Sequence, residues 1–337
     1  MKISFYDGHG KLAYNPNTEK NVGVGGAEVV LIQTAKALAK RGHDVSCYIN
    51  CSFPDIYDGV KYYKYFDYVP KEEDVLIGFE NFPPNYNAKK VVNWTNRFTA
   101  DDVIRYPNVD KIIVVSEWHR DHYASILPPN LVSKMVVVNL GLAPEFFESK
   151  VEKQPYNITY SGHPGKGGMA ALVPVIERLR EKLPQARLHV YGGGNLWGWD
   201  NDQYRPLYNK MIKNGILYHG QVGRVDMITR LNQAQLYLYP CAEHHKETFC
   251  LGVLEAMASG CVVIASNSGN IRNLVGDKGF VIDGDINHYS WAMEVVEKII
   301  TLFNDPAQIE KLSNASKEFA KQYTWDKTAE QFEKAIL

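Results

Sequence analysis

Short runs of apolar residues alternate with longer stretches that are apolar at helical spacing, over nearly the whole chain. This rhythm predicts parallel strands joined by crossover helices. In the first half, residues 3–6, 45–49, 75–79, 90–94, 111–115 and 135–139 read as strands. The clearest helix covers 27–41, with Val30, Leu31, Thr34, Ala35 and Leu38 on one face and Gly42 as its C-terminal stop. The long polar stretch 8–24 reads as a mobile lid. Around 139–153 the pattern lapses, and Glu152-Lys153-Gln154-Pro155 has the composition of a linker.

The pattern then restarts. Strands are expected at 158–161, 187–191, 216–219, 236–239, 262–265 and 279–282, and helices at 169–182, 224–233 and 251–259. Further helices close the chain from about 289. The expected fold is α/β, with two Rossmann-like domains facing each other across a cleft. Ligands of such folds bind at the C-terminal edges of the strands. The expected domains are 1–148 and 149–320, with a C-terminal helix in 321–337 packing back on the first.

Charge narrows the function. The chain carries 37 basic and 38 acidic residues, which argues against nucleic acid as a partner. Its 21 Tyr and 6 Trp suit sugar or base stacking, although most are expected to pack at core edges. The five cysteines, at 47, 51, 241, 250 and 261, have no framework spacing, which fits reduced thiols and a cytoplasmic setting. The first apolar run is too short for a signal peptide, and no run approaches the roughly 18 residues that span a bilayer. The expectation is a soluble chain, at most peripheral on the inner membrane surface.

The most informative segment runs from Glu243 to Gly260. Glu247 and Glu255 stand eight positions apart, with Thr248, Phe249, Cys250 and Leu251 between a polar loop and an apolar helix. A helix starting near Phe249 would aim the amides of Phe249, Cys250 and Leu251 at a diphosphate. Glu247 would then meet sugar hydroxyls and Glu255 ribose hydroxyls. Read alone, the pair is equally a capping carboxylate and a solvated helix face.

This segment resembles the E-x7-E signature of glycosyltransferase family 4 and related retaining enzymes of the GT-B fold. Further stretches share the resemblance: Val24-Gly25-Gly26-Ala27-Glu28, Val109 to Glu117, Val137 to Gly141 with Phe146-Phe147, and Ser161-Gly162-His163-Pro164-Gly165-Lys166-Gly167-Gly168. It implies a nucleoside diphosphate sugar as donor substrate, no cofactor and no metal. Lys166 and Glu247 would be catalytic, with Lys166 facing the charge of the leaving group. Donor contacts would come from Gly25, Gly26, His163, Gly165, Val222, Arg224, Thr248, Phe249, Cys250, Leu251 and Glu255. The glycines would let the backbone approach the diphosphate.

The sequence departs from the family twice. His163 stands where an arginine is usual, with Arg224 as the candidate substitute. Asn93 and Trp94 stand where a histidine is often found, and become the candidate acceptor contacts. The acceptor would be a glycan, a lipid or a small molecule. The alternatives are an epimerase or phosphorylase of the same fold, or a non-catalytic nucleotide-sugar binder.

Other constellations are set aside. Cys241, His244, His245 and Cys250 match no common zinc spacing. Asp283-Gly284-Asp285 reads as a surface turn. Asp200-Asn201-Asp202 lacks the remaining ligands of a calcium loop, and Gly192-Gly193-Gly194 lacks the dinucleotide-fingerprint spacing. The aromatic stretch 197–208 is expected either to touch substrate or to cover its domain.

Overall fold

The computed structural model describes residues 1–149 and 151–337. The chain divides into two compact units. Unit 1 comprises Met1–Lys20, Val24–Gly141 and Tyr323–Leu337; unit 2 comprises Asn21–Gly23 and Leu142–Gln322.

Unit 1 is built on β1 (Lys2–Tyr6), β2 (Asp44–Ile49), β3 (Asp55–Tyr57), β4 (Val60–Lys64), β5 (Glu73–Phe79), β6 (Ala88–Trp94), β7 (Lys111–Val114) and β8 (Met135–Val137). They form one sheet in the order β3-β4-β2-β1-β5-β6-β7-β8. Pairing is parallel except between β3 and β4. Ile3 of β1 lies opposite Val45 on one side and Val75 on the other, so the sheet grows outward from β1 in both directions. Such a reversal opens a crevice at the strand C-termini.

Two details differ from the sequence expectation. The hairpin β3–β4 was not expected, because its strands are short and tyrosine-rich. Its turn, Asp58-Gly59, has φ of 50° and 81°, the left-handed pair that a two-residue hairpin demands. The stretch 8–24, read as a mobile lid, is also anchored in the core at one point. Tyr14 is fully buried, bridges to Cys51 and donates its hydroxyl to Asp7 at 3.0 Å. A short helix, Pro16–Asn21, follows.

The C-terminal helix Trp325–Ile336 belongs to unit 1. Its Phe332 packs edge-on against Trp94 at 4.8 Å, and Glu333 receives Arg41 at 2.6 Å and His43 at 2.8 Å. Those two partners hold the Glu333 carboxyl down to about 2.

Unit 2 carries β9 (Asn157–Ser161), β10 (Arg187–Tyr191), β11 (Leu217–Gly220), β12 (Leu236–Tyr239), β13 (Val262–Ser266) and β14 (Phe280–Ile282). All pair in parallel, in the order β11-β10-β9-β12-β13-β14. The chain passes into unit 2 at Leu142, earlier than the expected 149. Phe146 explains the shift. It is buried, and the Arg224 guanidinium lies 5.1 Å over its ring, so the short helix Glu145–Glu148 packs with the later elements. Among the described residues, no helix is long and apolar enough to cross a membrane.

The linker residue Lys153 turns inward. Its ammonium donates to the carbonyls of Leu231 at 3.2 Å and Ser259 at 2.8 Å, and to Ala234. It therefore ties together the C-terminal ends of two helices, sharing the Leu231 carbonyl with the Ala234 amide at 3.2 Å. Lys153→Met should remove the ammonium from the Ser259 carbonyl, while Leu231 and Ala234 keep other donors, and cost about 1–3 kcal/mol, measured by urea unfolding. A loss near zero would show that water replaces the ammonium.

Candidate functional site

The site in unit 2 is assembled from loops that leave three neighbouring strands. After β9 the chain makes a tight turn, Pro164–Lys166, and enters the helix Gly168–Lys182. Gly168 permits this: a Cβ there would sit 2.2 Å from the Pro240 carbonyl oxygen. Ala242 in turn donates its amide to the Lys166 carbonyl at 2.9 Å. The β9 turn and the β12 loop are thus laced together by backbone.

That lacing brings Lys166 to Glu247. The Lys166 ammonium donates to Glu247 Oε1 at 2.6 Å and to the Tyr239 hydroxyl at 3.3 Å. Tyr239 donates to the same Oε1 at 2.8 Å. Glu247 is only 8% exposed. Burial alone would raise the Glu247 carboxyl, but the charge and hydrogen bond of Lys166, with His245 and the Tyr239 hydroxyl, together outweigh it and the net shift is downward. Burial likewise opposes the Lys166 ammonium, and Glu247 more than compensates. Both groups are held charged at neutral pH. Burial pushes the Tyr239 hydroxyl well up, so it serves as a donor.

The Glu247 backbone is fixed from the other side by the loop after β13. Asn270 donates its amide to the Glu247 carbonyl at 2.7 Å, and Ser268 its hydroxyl to the His245 carbonyl at 2.7 Å. Between them Gly269 has φ of 59°, and a Cβ there would meet the Glu247 carbonyl oxygen at 2.2 Å. No larger residue fits.

The helix after Glu247 is Leu251–Ala258, as the run 251–259 predicts and two residues later than the start near Phe249 from which the diphosphate contacts were argued. Cys250 is the reason: its φ of 75° is left-handed, so Thr248, Phe249 and Cys250 form a buried turn before the helix. The first-turn amides are therefore those of Leu251, Gly252 and Val253, beside the Tyr237 hydroxyl. Glu255 lies one turn on and meets Arg224 at 2.9 Å. Burial raises the Glu255 carboxyl, and Arg224 only partly offsets it. Val222, in the loop before Arg224, packs its carbonyl oxygen against Gly23 of the same unit.

His163, an expected donor contact, is held chiefly as a neutral ring. Its Nδ1 accepts from the Gly165 amide at 2.9 Å, and its ring lies flat on Trp197 at 3.6 Å. Burial, with the Lys166 charge adding to it, lowers its pKa to about 4. The imidazole is neutral at pH 7 and shapes the turn that presents Lys166. Asp283 accepts from Asn267 at 2.8 Å and Arg272 at 2.6 Å.

In unit 1, Gly25 precedes the helix Gly26–Lys40. A Cβ on Gly26 would meet nothing within 4 Å, so protein packing does not demand glycine there. The expected acceptor contacts need correction. Trp94 is 0% exposed, wedged among Phe5, Phe79 and Phe332, so its ring offers no face to a ligand. Asn93 is equally buried and donates to Asp102 at 3.2 Å. The β6 end serves the core.

The sequence reading missed Tyr239, Gly269 and Asn270. Tyrosine at alternate positions of a fully buried strand, Tyr237 and Tyr239, was the available signal, since a buried hydroxyl must find a partner. It also left Glu28 and Glu80 unassigned. Burial raises each of them to about 7. Glu80 receives Arg97 at 2.8 Å, whereas Glu28 Oε2 has no hydrogen-bond partner among the described residues.

The profile of the family described as "Glycosyl transferases group 1" matches residues 144–322. The lipopolysaccharide 1,2-N-acetylglucosaminetransferase of Salmonella typhimurium is 26% identical over 299 residues, 80% of this chain and 74% of that protein. The sulfoquinovosyl transferase of Arabidopsis thaliana is 25% identical over 202 residues, 56% of this chain. The chain spans 36% of the length of the Arabidopsis protein. Among solved structures, sucrose-phosphate synthase from Thermosynechococcus elongatus has a TM-score of 0.76 at 16% identity, covering 99% of this chain and 98% of that one. WaaG, a glycosyltransferase of lipopolysaccharide biosynthesis, has a TM-score of 0.71 at 16% identity, with coverages of 99% and 98%. The fold is that of the GT-B glycosyltransferases.

Two outcomes follow from the site's packing. Gly269→Ala should displace the Glu247 carbonyl and lower stability by about 2 kcal/mol or more, read by thermal unfolding; an unchanged midpoint would deny the clamp. The second concerns pH. A histidine whose folded pKa is depressed to about 4 binds fewer protons than the unfolded chain between pH 4 and 6.5. Stability should therefore fall as pH drops through that window. His163→Asn keeps an acceptor for Gly165 and removes the titration. Its unfolding free energy should change less steeply over the same window, and an identical slope would place the titration elsewhere.

Proposed function

The chain belongs to the glycosyl transferases group 1 family, and on that premise we propose that it moves a hexose from a nucleoside diphosphate sugar to an acceptor, with retention at the anomeric carbon and no metal. The observation that carries this reading is the buried Lys166–Glu247 ion pair at the C-terminal edge of the unit 2 sheet. A fixed cation there suits a leaving diphosphate, whose charge grows as the anomeric C–O bond breaks. Preorganisation is the point: the ammonium is already desolvated and held, so little reorganisation accompanies the reaction.

The remaining parts have matching roles. The Leu251, Gly252 and Val253 amides hold the diphosphate. Glu247 orients sugar hydroxyls, Glu255 with Arg224 reaches the ribose, and backbone near Val222 faces the base. The acceptor hydroxyl attacks the face that the diphosphate leaves, and its proton passes to a donor phosphate oxygen. The acceptor binds to unit 1, whose Glu28 and Glu80 suit hydroxyl donors. The Anabaena HepE structure, with a TM-score of 0.71 and described in complex with UDP-glucose, supports the donor class. The Salmonella and Arabidopsis names support sugar transfer.

The test is a transfer assay across a panel of nucleoside diphosphate hexoses and of glycan, lipid and small-molecule acceptors, in excess EDTA. NMR of the product reads its anomeric configuration. Lys166→Ala should lower kcat by about 10²–10³ with a small change in KM, while circular dichroism confirms the fold. Transfer at the unaltered rate by this variant would remove Lys166 from the mechanism. An inverted product would reject retention. Turnover of donor without an acceptor would point to an epimerase.

A further inference from the structure

Aromatic rings also gather at the C-terminal edge of the unit 1 sheet. Trp118 and His122 stand one turn apart on the helix Glu117–Ala124, which follows β7 and is capped by Ser116. Phe98 lies in the loop after β6. Trp118 stacks on His122 at 5.2 Å with 10° between the planes, and Phe98 stacks on the same ring at 5.6 Å with 24°. The helix also holds the loop. His122 Nε2 donates to the Phe98 carbonyl at 3.0 Å, and the buried Tyr123 hydroxyl donates to the carbonyls of Thr99 at 2.7 Å and Arg97 at 2.9 Å. Three successive carbonyls are thus taken by two adjacent side chains, so the imidazole that backs the indole is fixed in position.

Of the three tryptophans in unit 1, Trp94 and Trp325 are buried and Trp118 is partly exposed. Its Nε1 makes no hydrogen bond among the described residues. Next to Phe98, Arg97 donates to Glu80 at 2.8 Å and reaches Asp101 at 3.3 Å, and the side chains of Arg97 and Glu80 stay 38% and 18% exposed. Glu80 is held at φ of 63°, a left-handed conformation unfavourable to a residue with a Cβ. The Asn96 amide secures its other oxygen at 3.2 Å. The chain thus accepts backbone strain to fix a carboxylate against the guanidinium of the loop that carries Phe98.

We propose that Trp118, backed by His122, is a platform for a pyranose ring, and that the acceptor is a sugar-bearing one. The platform rests on the transfer reaction above for its purpose, and it narrows the acceptor among glycan, lipid and small molecule. A pyranose has an apolar C–H face and a rim of hydroxyls, so it needs one flat apolar ring with both donors and acceptors at its edge. The indole is that ring. Its Nε1–H, the Arg97 guanidinium and the Glu80 carboxylate are the edge groups. His122 keeps the indole in one orientation, so little side-chain freedom is lost on binding. A bare acyl chain would also gain from the indole, but it would strip water from the Arg97–Glu80 pair and offer no hydrogen bonds in exchange. Sugar hydroxyls offer them.

Ligand-observed NMR on the full chain, without donor, tests the platform with methyl α-glucopyranoside, methyl N-acetyl-β-glucosaminide and maltotriose. Sedimentation with phosphatidylglycerol vesicles is the lipid arm. At least one glycoside should bind wild type. Trp118→Ala should weaken it ten-fold or more, and Trp118→Phe, which keeps a ring on His122, less than three-fold. Arg97→Gln, which leaves the indole in place, should weaken it at least three-fold. A melting temperature within a few degrees of wild type confirms that each variant folds. The proposal is overturned if no glycoside binds, if Trp118→Ala binds the glycosides as wild type does, or if vesicle binding is what this variant loses. Calorimetric titration with uridine diphosphate reports separately on the proposed donor site, and its affinity should be the same in wild type and Trp118→Ala. Glycoside binding that depends on Trp118, in a chain that transfers no sugar from any donor, would sink the transfer reaction and leave the platform standing.

Discussion

One buried pair of opposite charges, Lys166 and Glu247, joins the β9 turn to the β12 loop at the C-terminal edge of the unit 2 sheet. Burial works against the charged form of both Lys166 and Glu247, and each offsets that cost for the other. Such a pair forms only with good geometry, and three loops cooperate to supply it. The β9 turn is held to the β12 loop through Lys166 and Ala242, and the β12 loop to the β13 loop through Glu247 and Asn270. Every one of these ties uses backbone. The charges are therefore placed by the sheet itself, and the long lysine side chain contributes reach more than freedom.

The strands were legible because each is a short apolar run between polar punctuation, and the central ones of both sheets sit where their runs predict. β3 and β4 escaped notice because tyrosine and lysine, not aliphatic residues, fill an edge hairpin; the Asp58-Gly59 turn was the sign that went unread. The site was legible as far as local spacing could carry it. Glu247 and Glu255 stand out as a pair, and Lys166 stands out in its glycine-rich turn. Gly269 and Asn270 do not, because their importance comes from tertiary contact with the Glu247 backbone, far away in sequence. Trp94 misled for the same reason. Its neighbours in space, Phe5 and Phe332, come from opposite ends of the chain, and only the fold shows that they enclose it.

His163 shows how a local substitution is absorbed. Read in sequence, it is a weak cation in place of a strong one. In space its Nδ1 accepts from an amide, and burial, with the Lys166 charge, favours the neutral form. The positive charge near the turn is then carried by Lys166. The residue has exchanged charge for shape, and the Trp197 ring stacked on it is part of that exchange. An arginine at this position would put a second cation next to Lys166 and find the space over its side chain taken by the indole.

The two glutamates of one signature end in opposite electrostatic states. Glu247 has an ammonium and a phenol on the same oxygen, and its carboxyl is lowered despite burial. Glu255 has Arg224 at 2.9 Å, yet burial prevails and its carboxyl is raised. A raised carboxyl is one whose charged form is under-solvated, so hydroxyl donors arriving at Glu255 relieve a cost already present. Glu247 has no such deficit. Hydroxyls reaching it must share a carboxylate already committed to Lys166, which couples whatever binds there to the placement of that cation. The same side chain at eight-residue spacing thus stands in two environments, one in which burial prevails over an arginine and one in which a lysine and a phenol prevail over burial.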